Sequence, residues 1–119
     1  MKYVLLFTSP SDDTWQRLPE DRQTAIYGEI MTWWQKHEAN GVILGGERLQ
    51  PGTTATTYRV GDDLSVQTID GPYVEAKEEV SGFGVIEVES LDAALELARS
   101  WPALCVPGEG VEVRPVFAM

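Results

Sequence analysis

The chain has 119 residues, enough for one domain with a real core and too few for two ordinary ones. Nineteen Asp and Glu stand against nine Lys and Arg, a net charge of −10, so the surface repels phosphate backbones and anionic lipid and argues against nucleic-acid and membrane partners. With 43% apolar and 24% charged residues the composition is that of a soluble globular protein, and one cysteine with one histidine excludes an internal disulfide and a zinc site of the usual four ligands.

In chain order, "YVLLF" (residues 3–7) is too short for a signal peptide or a membrane span, and a cytoplasmic protein is expected. "KYVLLFT" reads as a first strand, closed by the "SPSDD" loop. Asp13 or Thr14 is a candidate helix cap. Ile26, Ile30 and Trp33 recur at steps of four and three, which predicts a helix from about residue 20 to 40, stopped at Asn40-Gly41. "VILGGERL" follows as a short strand whose glycine pair bends or bulges it. "TTATTYRV" and "LSVQTI" flank "GDD", a β-hairpin over residues 53–69. "GFGVIEVES" is a further strand. In "SLDAALELARSW", Ser90 caps a second helix, Leu91, Ala94, Leu95 and Ala98 form its apolar face, and Pro102 follows its end. "GVEVRPVF" is the last strand. The order is an α+β, ferredoxin-like βαβ-βαβ plan with an inserted hairpin.

The strands carry apolar residues on both sides. Val4, Leu5, Leu6 and Phe7 are consecutive, and Val85 adjoins Ile86. Two helices cover only one side of a sheet, so the pattern predicts a homodimer whose sheets face each other and enclose a pocket.

The familiar catalytic signatures are absent: no G-x-S-x-G, phosphate loop, dinucleotide fingerprint or H-E-x-x-H occurs. No cofactor or metal is expected, although scattered carboxylates could supply magnesium. His37 continues the Ile26-Ile30-Trp33 face near the helix C-terminus, where the dipole favours its protonated form; it reads as a boundary residue before it reads as an acid or base. Cys105, in "ALCVPG", reads as an inert buried thiol. Trp33 and Trp34 read as core, with one of the pair directed to a subunit interface.

The stretch "TIDGPYVEAKEEVSGFG" (68–84) is more specific. Gly71 and Pro72 set a turn, and Asp70 can accept bonds from the following amides. If "YVEAKEE" runs extended, Glu75, Lys77 and Glu79 share one side while Val74 and Ala76 occupy the other. One reading is a solvated, charged turn. The other is a site: Asp70, Tyr73, Glu75, Lys77 and Glu78, with Arg59 beside them on the hairpin, can serve proton transfer or hold an anionic ligand.

"DGPYVEAKEEVSGFGVIEVESLDAALELARSWP", followed by "VEVRP", resembles the DGPF-type branch of the YCII-related proteins, and "GVILGGERLQPGTTATTYRV" matches the segment preceding the motif there. Tyr73 stands where that branch usually has phenylalanine. The resemblance implies one domain over residues 1–119 and a dimeric α/β barrel of ferredoxin-like subunits. It also implies small cyclic or chlorinated aromatic compounds as a substrate class, and an extracytoplasmic-function sigma factor as a partner. A first-helix histidine paired with an aspartate is suspected in a shorter branch, but aligning the helix ends through Gly41 puts Ile30, not His37, in that place. The residues carried over are Asp70, Gly71, Pro72, Tyr73, Glu75, Lys77 and Glu78, with Arg114 of the last strand. Two functions follow. One is a cofactor-free lyase or isomerase, with Asp70 moving a proton and Lys77 or Arg59 holding an anionic oxygen. The other is a non-catalytic ligand-binding or regulatory module. A purely architectural motif is the third reading.

Overall fold

Alternation along the first strand decides the architecture. In the computed structural model, which describes residues 1–71 and 78–118, β1 (Lys2–Pro10) buries Tyr3, Leu5 and Phe7 and leaves Val4 and Leu6 half-covered on its other side. The remaining elements are α1 (Glu20–Ala39), β2 (Ile43–Arg48), β3 (Thr56–Val60), β4 (Val66–Asp70), β5 (Glu78–Glu87), α2 (Leu91–Arg99) and β6 (Gly110–Pro115), with short 3-10 turns at Gly52–Thr54 and Pro102–Cys105. Four strands form one sheet in the order β2-β5-β1-β6, every neighbour antiparallel, and β3 and β4 pair as a separate hairpin. This is the ferredoxin-like plan with the inserted hairpin. Pro72, Tyr73, Glu75 and Lys77, with Val74 and Ala76, lie outside the described residues.

Directly paired residues share a side of the sheet. Tyr3 faces Ile86, Leu5 faces Gly84 and Val113, and Phe7 faces Gly82 and Val111; these line the helix-covered side. There they meet Trp33, Ala94 and Ala98 in one core, while Ile26, Ala103 and Val106 form a smaller core with Trp15 and Leu18. Phe7 stacks on Trp101 at 4.0 Å and meets Trp33 edge-on at 6.4 Å.

Both tryptophans of the Trp33-Trp34 pair pack on this core, Trp33 buried and Trp34 half-buried. Trp34 lies over Gly46 and Gly84: a Cβ on Gly46 would stand 2.6 Å from its ring and 2.2 Å from the Phe83 carbonyl oxygen. The glycines therefore seat an indole as well as permitting the register shift between Ile43 and Gly45.

Other local expectations need correction. α1 begins at Glu20 behind Pro19; Asp12, not Asp13 or Thr14, anchors the preceding turn by accepting the Thr14 amide at 2.9 Å. Proline is favoured at a helix start and its missing donor costs nothing there. Ser90 caps α2, accepting the Ala93 amide at 3.1 Å, but Leu91 and Leu95 are exposed and Ala94 and Ala98 alone are fully buried. The small side chains let the helix sit close to the sheet. Cys105 is exposed rather than buried, because the 3-10 turn directs its thiol outward to the Pro102 carbonyl oxygen at 3.3 Å.

The molecule measures 48 × 44 × 20 Å. Its radius of gyration, 16.3 Å, exceeds the value of about 13.5 Å expected for a rounded domain of this length. Thinness reflects two layers, one of helices and one of sheet; width reflects the hairpin, which pairs chiefly with itself.

Candidate functional site

The uncovered side of the four-stranded sheet is the first candidate surface. Val4 pairs with Val85 and Leu6 with Phe83, so four half-buried apolar groups stand together at its centre. On the flanking strand Arg114 lies opposite Val4 and Glu112 opposite Leu6, and the two charges form an ion pair on β6. Among the described residues nothing covers this side. An apolar patch with one guanidinium at its border can hold a flat organic anion, with hydrophobic contact for the ring and charge for the oxygen.

The hairpin carries the first part of the motif. Asp70 ends β4, exposed and opposite Thr56. Gly71 takes a φ of +115°, which side-chain-bearing residues rarely adopt, and its carbonyl oxygen accepts the Thr57 hydroxyl at 2.8 Å while its amide donates to Ala55 at 2.7 Å. These bonds hold the motif's start against β3. Pairing also separates two residues read as neighbours. Asp70 shares a side with Thr56, Tyr58, Val60, Val66 and Thr68, whereas Arg59, opposite Gln67, shares the other with Thr57 and Ile69. Arg59 and Asp70 therefore point to opposite sides of the hairpin, by the two-residue period of a strand.

Glu78 opens β5 opposite Pro10 and is exposed. Arg114 lies opposite Val4, six residues away along β1, so the two motif charges sit about 20 Å apart at opposite ends of the sheet. One chain does not assemble Asp70, Arg59, Glu78 and Arg114 into a single cluster. No group of three or more His, Cys, Asp or Glu suited to a metal occurs among the described residues.

Two carboxylates make contacts that the sequence reading did not assign. Glu109, in the loop before β6, is half-buried beside the Ser9 side chain, and desolvation pushes its carboxyl above the ordinary range. Nothing in "PGEG" signals this, because the burial comes from β1. Glu79, half-buried opposite Ser9, accepts the Gly52 amide at 3.2 Å and so ties the stem of the hairpin to β5.

A second surface lies on the helix side: a groove of about 980 Å³ between α1 and α2, floored by Trp33, Val42 and Leu97 and edged by Lys36, His37 and Ser100. The Trp33 indole N–H donates to the Ser100 hydroxyl at 2.8 Å, and that hydroxyl donates to the Leu97 carbonyl at 2.6 Å, so both polar groups are satisfied internally. The His37 ring stands edge-on to Trp33 at 4.9 Å. Burial first, and the Lys36 charge second, depress its pKa, so the imidazole is neutral at pH 7. The helix dipole, which favours the protonated form, is opposed by this burial.

The profile of the YCII-related domain matches residues 1–119. The chain belongs to the YCII-related family. A relative from Rhizobium meliloti (strain 1021), named "Uncharacterized protein R00369", is 30% identical over 118 residues, covering 98% of this chain and 92% of that protein. Among solved structures, the YCII-related protein resembles 5-chloro-2-hydroxyhydroquinone dehydrochlorinase (TftG) from Burkholderia phenoliruptrix AC1100, in complex with 2,5-dihydroxybenzoquinone. That match has a TM-score of 0.57 at 13% identity and covers 100% of this chain and 96% of the other. At that identity it establishes the shared fold. No helix among the described residues is long and apolar enough to cross a membrane.

Proposed function

We propose that this YCII-related protein works as a homodimer that closes its uncovered sheet faces over a small organic molecule, a phenol- or quinone-like ring. The observation that carries the reading is the apolar centre of that face, Val4, Leu6, Phe83 and Val85, beside the Arg114 cation. Removing such a patch from water on both copies supplies the driving force for closure and a dry site for the ring. Arg114 would hold an anionic oxygen. Asp70 is the candidate proton-transfer group of a cofactor-free lyase or isomerase reaction, since loss of a proton and a leaving group, as in the neighbour's dehydrochlorination, needs one base and a site for developing negative charge.

The test is calorimetric binding of 2,5-dihydroxybenzoquinone, followed by turnover of a chlorinated hydroquinone. Asp70→Asn should leave binding intact and lower turnover by about 100-fold or more, the usual worth of a general base. Absence of binding by the wild-type protein would contradict the reading. Unchanged turnover in Asp70→Asn would remove Asp70 from the chemistry while leaving the binding site in place.

A second reading, a ligand-binding regulatory module that docks a basic partner such as an extracytoplasmic-function sigma factor, is favoured by the net charge of −10. Such docking should tighten as salt is lowered. A partner retained equally at all ionic strengths would count against it.

A further inference from the structure

The β3–β4 hairpin combines features that are each unfavourable in a free chain. Tyr58, Val60 and Val66 lie on one side of it and are 74%, 59% and 64% exposed. At its tip, in a turn closed by the Gly61 amide to Ser65 and the Leu64 amide to Gly61, Leu64 is 83% exposed and adopts a φ of +66°. A leucine in the left-handed region costs on the order of 1 kcal/mol relative to glycine or asparagine, which are the ordinary residues there. A solvated leucine gains nothing in return. An isolated two-stranded hairpin is, in addition, marginally stable in water.

The size of the uncovered sheet face supplies a second argument. Four strands about 4.8 Å apart and about six residues long give a footprint of roughly 400 Å². A stable interface takes about 800 Å² from each partner. The sheet face alone falls short, and the hairpin offers further exposed apolar surface: the segment leading into it is bound to β5 through the Leu49 amide to the Ser81 carbonyl and the Gly52 amide to Glu79, and β5 carries Phe83 and Val85 of that face.

We infer that the hairpin is an arm that clasps a second copy of this chain, laying Tyr58, Val60 and Val66 against it with Leu64 anchored at the tip. The inference rests on the homodimer reading above and extends it from a contact between sheets to an exchange of arms. Asp70 lies on the same side of the arm as the three apolar residues. Docking therefore places this carboxylate at the boundary between subunits.

Sedimentation equilibrium of the full chain tests the arm, comparing wild type with the triple variant Tyr58→Thr, Val60→Thr, Val66→Thr and separately with Leu64→Asn. Threonine keeps strand propensity and asparagine relieves the backbone of Leu64, so both variants should fold, as circular dichroism will show. The wild type is expected to dimerise, with the triple variant raising the dissociation constant by about 100-fold or more. Leu64→Asn should also weaken the dimer, whereas an arm that touches nothing predicts better folding and no change in association. A dimeric wild type with both variants associating equally tightly overturns the clasp and leaves the homodimer standing. A wild type that stays monomeric at every concentration overturns both.

Discussion

The two sides of β1 make the central comparison. Tyr3, Leu5 and Phe7 meet tryptophans and helix alanines in a closed core, whereas Val4 and Leu6, one residue away in sequence, stand half-covered on the other side, paired with Val85 and Phe83. The same strand is finished on one side and unfinished on the other. The difference separates two surfaces: the helix side supplies the stability of the single chain, and the open side is the face that we propose a second copy covers.

The contrast is broken most forcefully by truncating neighbours. Leu5→Ala empties a fully buried position and should cost about 3 kcal/mol in urea unfolding, while Leu6→Ala should cost well under half of that in the single chain and act on association. Equal costs for the two would show that both sides belong to one core. Next in size, Gly46→Ala drives a Cβ into Trp34 and the Phe83 carbonyl from a backbone with φ +154°; a loss of about 3 kcal/mol is expected, and a neutral result would mean that the indole seat is not used.

Such contrasts also show what a sequence can carry. Two-sided apolar strands, the hairpin, Ser90 as a cap and the two helices were readable because each depends on local periodicity or local turn chemistry. The seat of Trp34 was not, since it joins α1 to two strands. Register defeated the pairing of Arg59 with Asp70: proximity in the hairpin said nothing of opposite sides. Cys105 sits in an apolar stretch yet faces outward, because a 3-10 turn does not follow the period of a strand or a helix. The motif's first residues were legible as a turn, and Gly71 takes the positive φ that such a turn requires, but the side to which Asp70 belongs is set by the β3–β4 register.

The smallest effects come from pH and sharpen the same division. His37 has a depressed pKa in the folded chain, so the unfolded chain binds more protons and stability falls as pH drops through and below 6.5, levelling off beneath the folded value. His37→Gln should flatten that segment of a thermal-unfolding profile. Glu109 has a raised pKa, so the folded chain holds its proton longer and the stability it contributes is lost as pH rises above 4.5. Glu109→Gln should then unfold at a higher temperature than wild type at neutral pH, with the difference vanishing in acid. If either variant tracks the wild type throughout, the burial of that group is not felt.

The most direct test of the unfinished side is the association state of Leu6→Glu, which sets a carboxylate at the centre of the open face, opposite Glu112. Sedimentation equilibrium should find the wild type dimeric and Leu6→Glu a folded monomer, with unfolding stability close to that of the isolated wild-type chain. A Leu6→Glu protein that dimerises as tightly as the wild type, or a wild type that never dimerises, would contradict the account.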